Sequence, residues 1–357
     1  MSRLLPRSWL SPFVSPAVFD FWAARLRPEA SWDRCLARVV SRSVEARDAV
    51  TLVLQPNRHF AGFRAGQHVN VGVEVDGVLQ TRSYSPSDAP RADGRVSITV
   101  RNVEGGKVSS HLCLHTRVGD VLELGPAYGE MTAVDGPRLF CAAGSGITPL
   151  VSLVRAAAEA PTALDLDLVY WARRRTDLCF ADELREMAAR TPGLRVHFVL
   201  TREAELEAGE YAGRPSAGLL DRLVPDHAQR TVSACGPAGF VDSLRALLDG
   251  RCAGFHAESF TPPAPIEPTD VTGTVRVELV RSGRTLEVTA GTPLLAALEA
   301  QGLKLAYGCR MGLCNTCACG KREGTTHNVL NGEFDGEPRS ALRLCINRAA
   351  SDLILDL

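Results

Sequence analysis

Four cysteines carry the clearest chemistry in this sequence. Cys309, Cys314 and Cys317 stand in Cys-Arg-Met-Gly-Leu-Cys-Asn-Thr-Cys, and Cys345 follows well downstream. Four residues between the first two thiols, two between the next, and a distant fourth is the spacing of a plant-type [2Fe–2S] site, in which one loop and one remote strand share the cluster. Gly308, Gly312 and Gly320 suit a loop that needs unusual backbone angles and close N–H approach to sulfur. A zinc ribbon is the competing reading, but it needs two Cys-x2-Cys knuckles and only Cys314/Cys317 forms one. Cys319 stands outside the spacing and reads as a bystander beside the site.

Two further constellations can hold phosphates and rings. Gly144-Ser-Gly146-Ile-Thr148-Pro149 follows the apolar run Leu139 to Ala143 and precedes a helical stretch. Glycines there uncover backbone N–H groups at a helix start, an anion site suited to a pyrophosphate. Pro149 occupies the third position, so the plain Gly-x-Gly-x-x-Gly fingerprint is absent, and a tight strand-to-helix turn reads equally well. Upstream lie Arg82-Ser83-Tyr84-Ser85 and then Gly105-Gly106-Lys107-Val108-Ser109. Arginine pairs with phosphate, tyrosine stacks on a flat ring, and the glycines with Ser109 offer N–H and O–H donors to a second phosphate.

The elements that must position these residues form three blocks. From Cys35 to Glu130, runs rich in Val, Thr and Ile (49–54, 69–75, 78–82, 96–100) predict strands, with a hairpin at Asp76-Gly77. Strands this closely spaced predict an antiparallel β-barrel. From Gly136 to Phe260, buried strands at 139–143, 166–171, 196–200 and 231–234 alternate with helices at 150–160, 181–190 and 238–248, the rhythm of an α/β parallel sheet. Thr261 to Thr269 contains four prolines and reads as a connector over 261–271. Beyond it, a hairpin around Ser282-Gly283 and a helix from Pro293 to Gln301 lead into the cysteine loop. The domains expected are an extension over 1–34, the barrel over 35–135, the nucleotide domain over 136–260 and an iron–sulfur domain over 272–357.

Composition narrows the class. An apolar share of 45% with 23% charged residues excludes a disordered chain, and a formal charge of −1 provides no field to gather nucleic acid. Eleven cysteines without a signal peptide point to a reducing, cytoplasmic compartment rather than a disulfide scaffold. The stretch Leu4 to Trp22 is apolar but broken by prolines, Arg7 and Asp20, too short to span a membrane. It is expected to pack on the body as a helix or turn, with contact at a membrane surface as the alternative.

In order, Arg82-x-Tyr84-Ser85, Gly105-Gly106-x-Val108-Ser109, Gly144-x-Gly146-x-Thr148-Pro149, Cys235-Gly236-Pro237 and Glu258-x-Phe260 resemble the ferredoxin–NADP reductase superfamily. The C-terminal block resembles a plant-type ferredoxin, so the resemblance implies an α+β β-grasp domain fused to a reductase. It implies FAD, or FMN as the alternative, bound by Arg82, Ser83, Tyr84, Ser85, Gly106, Lys107, Val108 and Ser109, with His68 beside the flavin. It implies Gly144, Gly146, Thr148, Pro149, Cys235, Gly236, Pro237 and Phe260 around the nicotinamide nucleotide, and Ser85, Cys235 and Glu258 at the hydride-transfer position. Thr201-Arg202 would meet a 2′-phosphate, which implies NADPH over NADH, with Glu203 as the opposing carboxylate and Arg173 to Arg175 adding positive charge.

An NAD(P)H-dependent reductase passing electrons to a separate oxygen-using protein is the function implied. The nearest likeness is to reductases serving fatty-acyl desaturases, with peripheral contact at a membrane partner; multicomponent ring-hydroxylating or epoxidising oxygenases are the alternative. A redox sensor would need an output module for which no residues remain, and a self-contained oxygenase would need its own oxygen-activating iron. Glu333, Asp335, Glu337, Asp352 and Asp356 give the ferredoxin block an acidic edge that could dock a basic partner.

Overall fold

The computed structural model describes residues 15–75, 77–131, 135–160, 163–260 and 273–357. The chain divides into two compact units, 1–260 and 261–357. The proline connector falls outside the described residues, as do residues 1–14 and Asp76 of the expected hairpin.

The first unit begins with helix α1 (Pro16–Leu26), started by Pro16 and by the Ser15 hydroxyl accepting the Val18 N–H. Asp20 accepts from Ser31 Oγ at 3.0 Å and from the Trp32 N–H at 2.6 Å, and Phe19 meets Trp32 edge-on. The segment was expected to pack on the body; that holds for this one face, and no residue of α1 is buried.

Six antiparallel strands follow: β1 (Leu36–Ala46), β2 (Ala49–Pro56), β3 (Val69–Val75), β4 (Val78–Tyr84), β5 (Val96–Arg101) and β6 (Val121–Leu124). Their order is β4-β3-β6-β1-β2-β5, and a bridge from Pro86 to Ile98 brings the chain leaving β4 against the far edge, closing the barrel. Val69, Val71 and Val73, Leu52 and Leu54, and Val96, Ile98 and Val100 recur at period two and fill the interior. Helix α2 (Lys107–Ser110) between β5 and β6 runs on into a π-helical turn, His111–His115.

The second sheet is parallel, ordered β10-β9-β8-β7-β11-β12. It comprises β7 (Arg138–Ala143), β8 (Leu166–Ala172), β9 (Leu194–Leu200), β10 (Glu210–Ala212), β11 (Thr231–Gly236) and β12 (Gly254–Ser259). Helices α3 (Ile147–Glu159), α4 (Ala181–Arg190), α5 (Ala217–Leu223) and α6 (Ala238–Leu248) link them. β7 lies between β8 and β11, so the crossovers diverge on either side of it, and the carboxyl ends of β7 and β11 form the switch point where open α/β sheets take ligands. Barrel and sheet are tied behind this point. On α3, Ser152 donates to the Asp88 carbonyl at 2.6 Å, and Arg155 binds the Asp88 carboxylate at 3.1 Å and Glu183 at 2.8 Å.

The second unit has a five-stranded sheet, β14-β13-β20-β15-β18, and a smaller one, β17-β16-β19. Its elements run β13 (Thr274–Leu279), β14 (Arg284–Thr289), α7 (Leu294–Ala300), β15 (Ala318–Glu323), β16 (Thr326–Asn328), β17 (Phe334–Asp335), β18 (Arg339–Arg343), β19 (Asn347–Ala349) and β20 (Leu353–Leu355). Leu294 and Leu298 of α7 pack with Val277, Leu279, Leu353 and Leu355. The expected hairpin and helix are present within a residue or two; the short strands after the cysteine loop carry no long period to announce them.

Candidate active site and iron–sulfur loop

β4 ends at Tyr84, and the next residue, Ser85, turns inward and is 3% exposed. Its hydroxyl meets His68 Nδ1 at 2.7 Å, and His68 Nε2 meets the Glu258 carboxylate at 2.7 Å. An ionised carboxylate only accepts, so a proton on Nε2 would serve Glu258, and in that tautomer Nδ1 would accept the Ser85 O–H. The chain is thereby joined across residues 68, 85 and 258 into a hydrogen-bonded line. Phe260 and Tyr128 flank the imidazole, with ring centroids 6.2 and 5.7 Å away. A Cβ on Gly129 would stand 3.1 Å from His68 Cδ2, so glycine leaves the ring room that a side chain there would crowd.

The remaining flavin-side residues divide between support and access. Ser83 donates to Asn70 at 2.8 Å, and the Tyr128 hydroxyl donates to Ser83 and lies 3.3 Å from Asn70 Oδ1. Asn70 and Tyr128 were missed in the sequence because nothing in their spacing marks them. Tyr84, expected to stack on a ring, packs against the barrel core, where burial pushes its hydroxyl well above the usual range. Arg82 donates to the Thr81 carbonyl at 2.8 Å. At the glycine pair, a Cβ on Gly106 would lie 2.5 Å from Ser109 Oγ and 2.9 Å from the Val103 carbonyl, so only glycine fits there. Ser109 accepts the Val103 N–H and donates to the Gly106 carbonyl, both at 3.3 Å. Its hydroxyl therefore stitches the turn, and the phosphate-type donors left at this place are the first N–H groups of α2, including Lys107 and Val108.

The Gly144–Gly146 turn is decided by contact. Gly144 has φ +55°, and a Cβ on Gly146 would stand 2.1 Å from the Cys235 carbonyl oxygen and 2.7 Å from the Gly236 nitrogen. The turn after β7 thus lies directly on the Cys235-Gly236-Pro237 end of β11. Thr148 is buried and donates to the Ser145 carbonyl at 3.0 Å, and Pro149 is buried in the first turn of α3. Both shape the loop. Cys235 is wholly buried, opposite Glu258 in the β11–β12 register, and burial pushes its thiol far up, with Glu258 adding to the effect.

At the ends of β8 and β9, the Arg202 N–H donates to the Arg173 carbonyl at 2.8 Å, bringing these two exposed arginines side by side. Thr201 is exposed next to them. Glu203 is occupied, because its carboxylate accepts the Arg175 N–H at 2.8 Å. Arg175 itself turns back onto Glu210, at 2.6 Å, and so serves the fold rather than a ligand.

In the second unit, Cys309, Cys314 and Cys317 lie on one irregular loop and Cys345 between β18 and β19. Arg310, Gly312 and Asn315 have φ of 56°, 76° and 55°, the left-handed turns that fold backbone N–H groups inward. Met311, Leu313 and Cys314 donate N–H to Cys309 Sγ at 3.3 to 3.4 Å, and the Cys309 N–H and the Thr316 hydroxyl reach Cys314 Sγ at 3.2 Å. Such donors stabilise thiolate, and the sulfurs pair two and two. The hydrogen bond from Cys309 pulls the Cys314 thiol down to about 4, and that from Cys345 pulls Cys317 down to about 7, each at its partner's expense. Four cysteines, three on one loop and one from a remote turn, with N–H donors aimed at the loop sulfurs, are the donor set that would hold a [2Fe–2S] cluster. Cys319 lies on β15 opposite Leu342, 8% exposed, its thiol pushed up to about 12 by burial.

The acidic edge is a correction. Asp335 binds Arg339 at 2.5 Å, Asp352 binds Arg276 at 3.2 Å and Asp356 binds Arg322 at 2.5 Å, so three of the five carboxylates are already matched by arginines of this unit.

Residues 37–132 match the oxidoreductase FAD-binding domain family, 140–246 the oxidoreductase NAD-binding domain, and 277–349 the 2Fe-2S iron-sulfur cluster binding domain. The chain is 31% identical to an NADPH oxidoreductase of Mycobacterium tuberculosis, over 96% of this chain and 90% of that protein. It is 28% identical to the glycine betaine monooxygenase reductase subunit of Pseudomonas aeruginosa, over 97% of this chain and 99% of that one. Among solved structures, phthalate dioxygenase reductase shares the fold with a TM-score of 0.58 at 24% identity, covering 90% of this chain and 97% of its own. No helix among the described residues is long and apolar enough to cross a membrane. With its three domains matched in the order in which the two sheets and the cysteine loop occur, this chain belongs to the ferredoxin–NADP reductase-like family with a C-terminal [2Fe–2S] domain, and is an oxidoreductase that works with FAD, NAD(P)H and the cluster.

Proposed function

We propose that this reductase draws electrons from NADPH and delivers them to a separate oxygenase component. FAD, when bound, supplies the conversion of an electron pair into single electrons that a [2Fe–2S] cluster can accept. Arg82, Ser83, Tyr84, Ser85 and the 106–109 turn would hold it, and Cys309, Cys314, Cys317 and Cys345 would hold the cluster.

The observation that carries the reading is the line Ser85–His68–Glu258 beside the switch point. Each nicotinamide brings two electrons and one proton, and only the electrons continue to the cluster. Ser85 can pass that proton to His68 Nδ1 while Nε2 gives its own to Glu258, whose side chain is 18% exposed and reaches solvent. His68, read from the sequence only as a neighbour of the flavin, is on this reading the positioning link between the other two. Cys235 and Phe260 back the same place from the core. Stopped-flow reoxidation of the NADPH-reduced protein by excess ferricyanide across pH, in wild type and His68→Phe, tests it: the variant should give up its electrons slowly and lose the pH dependence.

For NADPH, the support is that Arg202 and Arg173 stand together while Glu203 is engaged by backbone, which removes the carboxylate that an NADH site would present to the ribose. For the acceptor, relatives named as monooxygenase reductase subunits favour an oxygenase over the fatty-acyl desaturase that the family resemblance implies. Reconstituting NADPH-driven product formation with an oxygenase component and, in parallel, a membrane desaturase decides between them.

A further inference from the structure

Helix α1 is turned inside out. Val18, Phe21, Trp22, Arg25 and Leu26 recur at the helical period that normally faces a core. Here the four apolar members of that stripe are 52, 56, 60 and 87% exposed. What turns them outward is the opposite face. Phe19 packs edge-on against Trp32, and Asp20 is bound to Ser31 Oγ and the Trp32 N–H. The following turn is then fixed to the barrel, as Asn57 Nδ2 donates to the carbonyls of Glu29 and Arg34, both at 2.9 Å, and Arg38 pairs with Glu29. The helix is therefore anchored by its polar residue and presents its aromatic ones.

Charge says what would cover this face. Residues 15–27 contain Arg25 and Arg27 against a single carboxylate, Asp20, in a chain whose overall charge is −1. Asp20 points into its hydrogen bonds, and Arg25 lies over Phe21 at 4.2 Å and Trp22 at 5.2 Å, at the edge of the apolar stripe. Exposed Trp, Phe and Leu rimmed by arginine suit the headgroup and upper acyl region of an anionic bilayer, where the rings insert and the guanidiniums meet phosphate.

We propose that α1 is a docking face for an anionic lipid surface. It seats the reductase at a membrane without crossing it.

The test is co-sedimentation of the full-length holoprotein with phosphatidylcholine vesicles, with and without about one third phosphatidylglycerol. Wild type should pellet with the anionic vesicles, weakly with the neutral ones, and be released by high salt. The double variant Phe21→Ser/Trp22→Ser should lose binding by about tenfold or more, because two aromatic anchors are removed. No residue of α1 is buried, so the variant should keep its visible spectrum and its NADPH-driven reduction of ferricyanide. Wild type that stays in the supernatant with anionic vesicles overturns the proposal, as does a double variant that pellets like wild type. A wild-type dimer that the same substitutions make monomeric, without vesicle binding, reassigns the face to contact between copies of this chain.

Discussion

The cysteine loop and the Ser85–His68–Glu258 line are both sites, but they are built on opposite plans. Three of the four thiols of the loop lie within nine residues, and left-handed turns at Arg310, Gly312 and Asn315 bring the N–H donors to them from the same loop. The other site draws on a barrel turn at His68, a strand end at Ser85 and the last strand of the parallel sheet at Glu258, three places far apart in the chain. A site whose donors are local survives changes elsewhere in its domain; one assembled from remote elements depends on every contact that aligns them.

Cys314→Ser should break the comparison most completely. Removing one thiol of four should abolish the cluster's visible and paramagnetic signals, while NADPH still bleaches the flavin at close to the wild-type rate, since the flavin residues lie in the other unit. Gly146→Ala comes next. A methyl group 2.1 Å from the Cys235 carbonyl forces the β7 and β11 ends apart, so the melting temperature should fall by several degrees and the KM for NADPH should rise at least about tenfold with the cluster spectrum unchanged.

Glu258→Gln asks whether the remote line works as one unit. Reoxidation of the reduced flavin should slow by roughly 10²-fold, the usual share of a general acid–base group, and His68→Phe should slow it to a similar degree with the double variant no worse. Independent losses that multiply would mean that the three residues act separately. Arg202→Ala is milder: the KM for NADPH should rise about tenfold with NADH hardly altered, and an equal loss for both nucleotides would remove the phosphate assignment. Cys319→Ser should have the smallest effect. Its sulfur is buried on β15, so iron and sulfide content should stay at wild-type level; loss of the cluster would show that the ligand set was misassigned.

Sequence reading succeeded where one residue's chemistry or one element's period is enough. The strands Val69–Val75 and Val96–Arg101 and the helices Ala181–Arg190 and Ala238–Leu248 are visible as periodic apolar runs, and they appear within a residue or two of their expected ends. It fell short where a polar group had a choice of partner. Ser109 and Thr148 bond the carbonyls of their own turns, contacts that their spacing does not announce, and the acidic edge is largely matched by Arg276, Arg322 and Arg339.

By itself, the sequence determined the cluster, the two sheet types and the order of the domains, because thiolate spacing and hydrophobic period are properties of neighbouring residues. Only the tertiary structure decided that His68 stands between Ser85 and Glu258, that Glu203 is bound to backbone beside Arg202, and that the stripe of α1 faces outward. Each of these turns on which of several possible partners a polar or apolar face meets first, and that is set by packing between segments far apart in the chain.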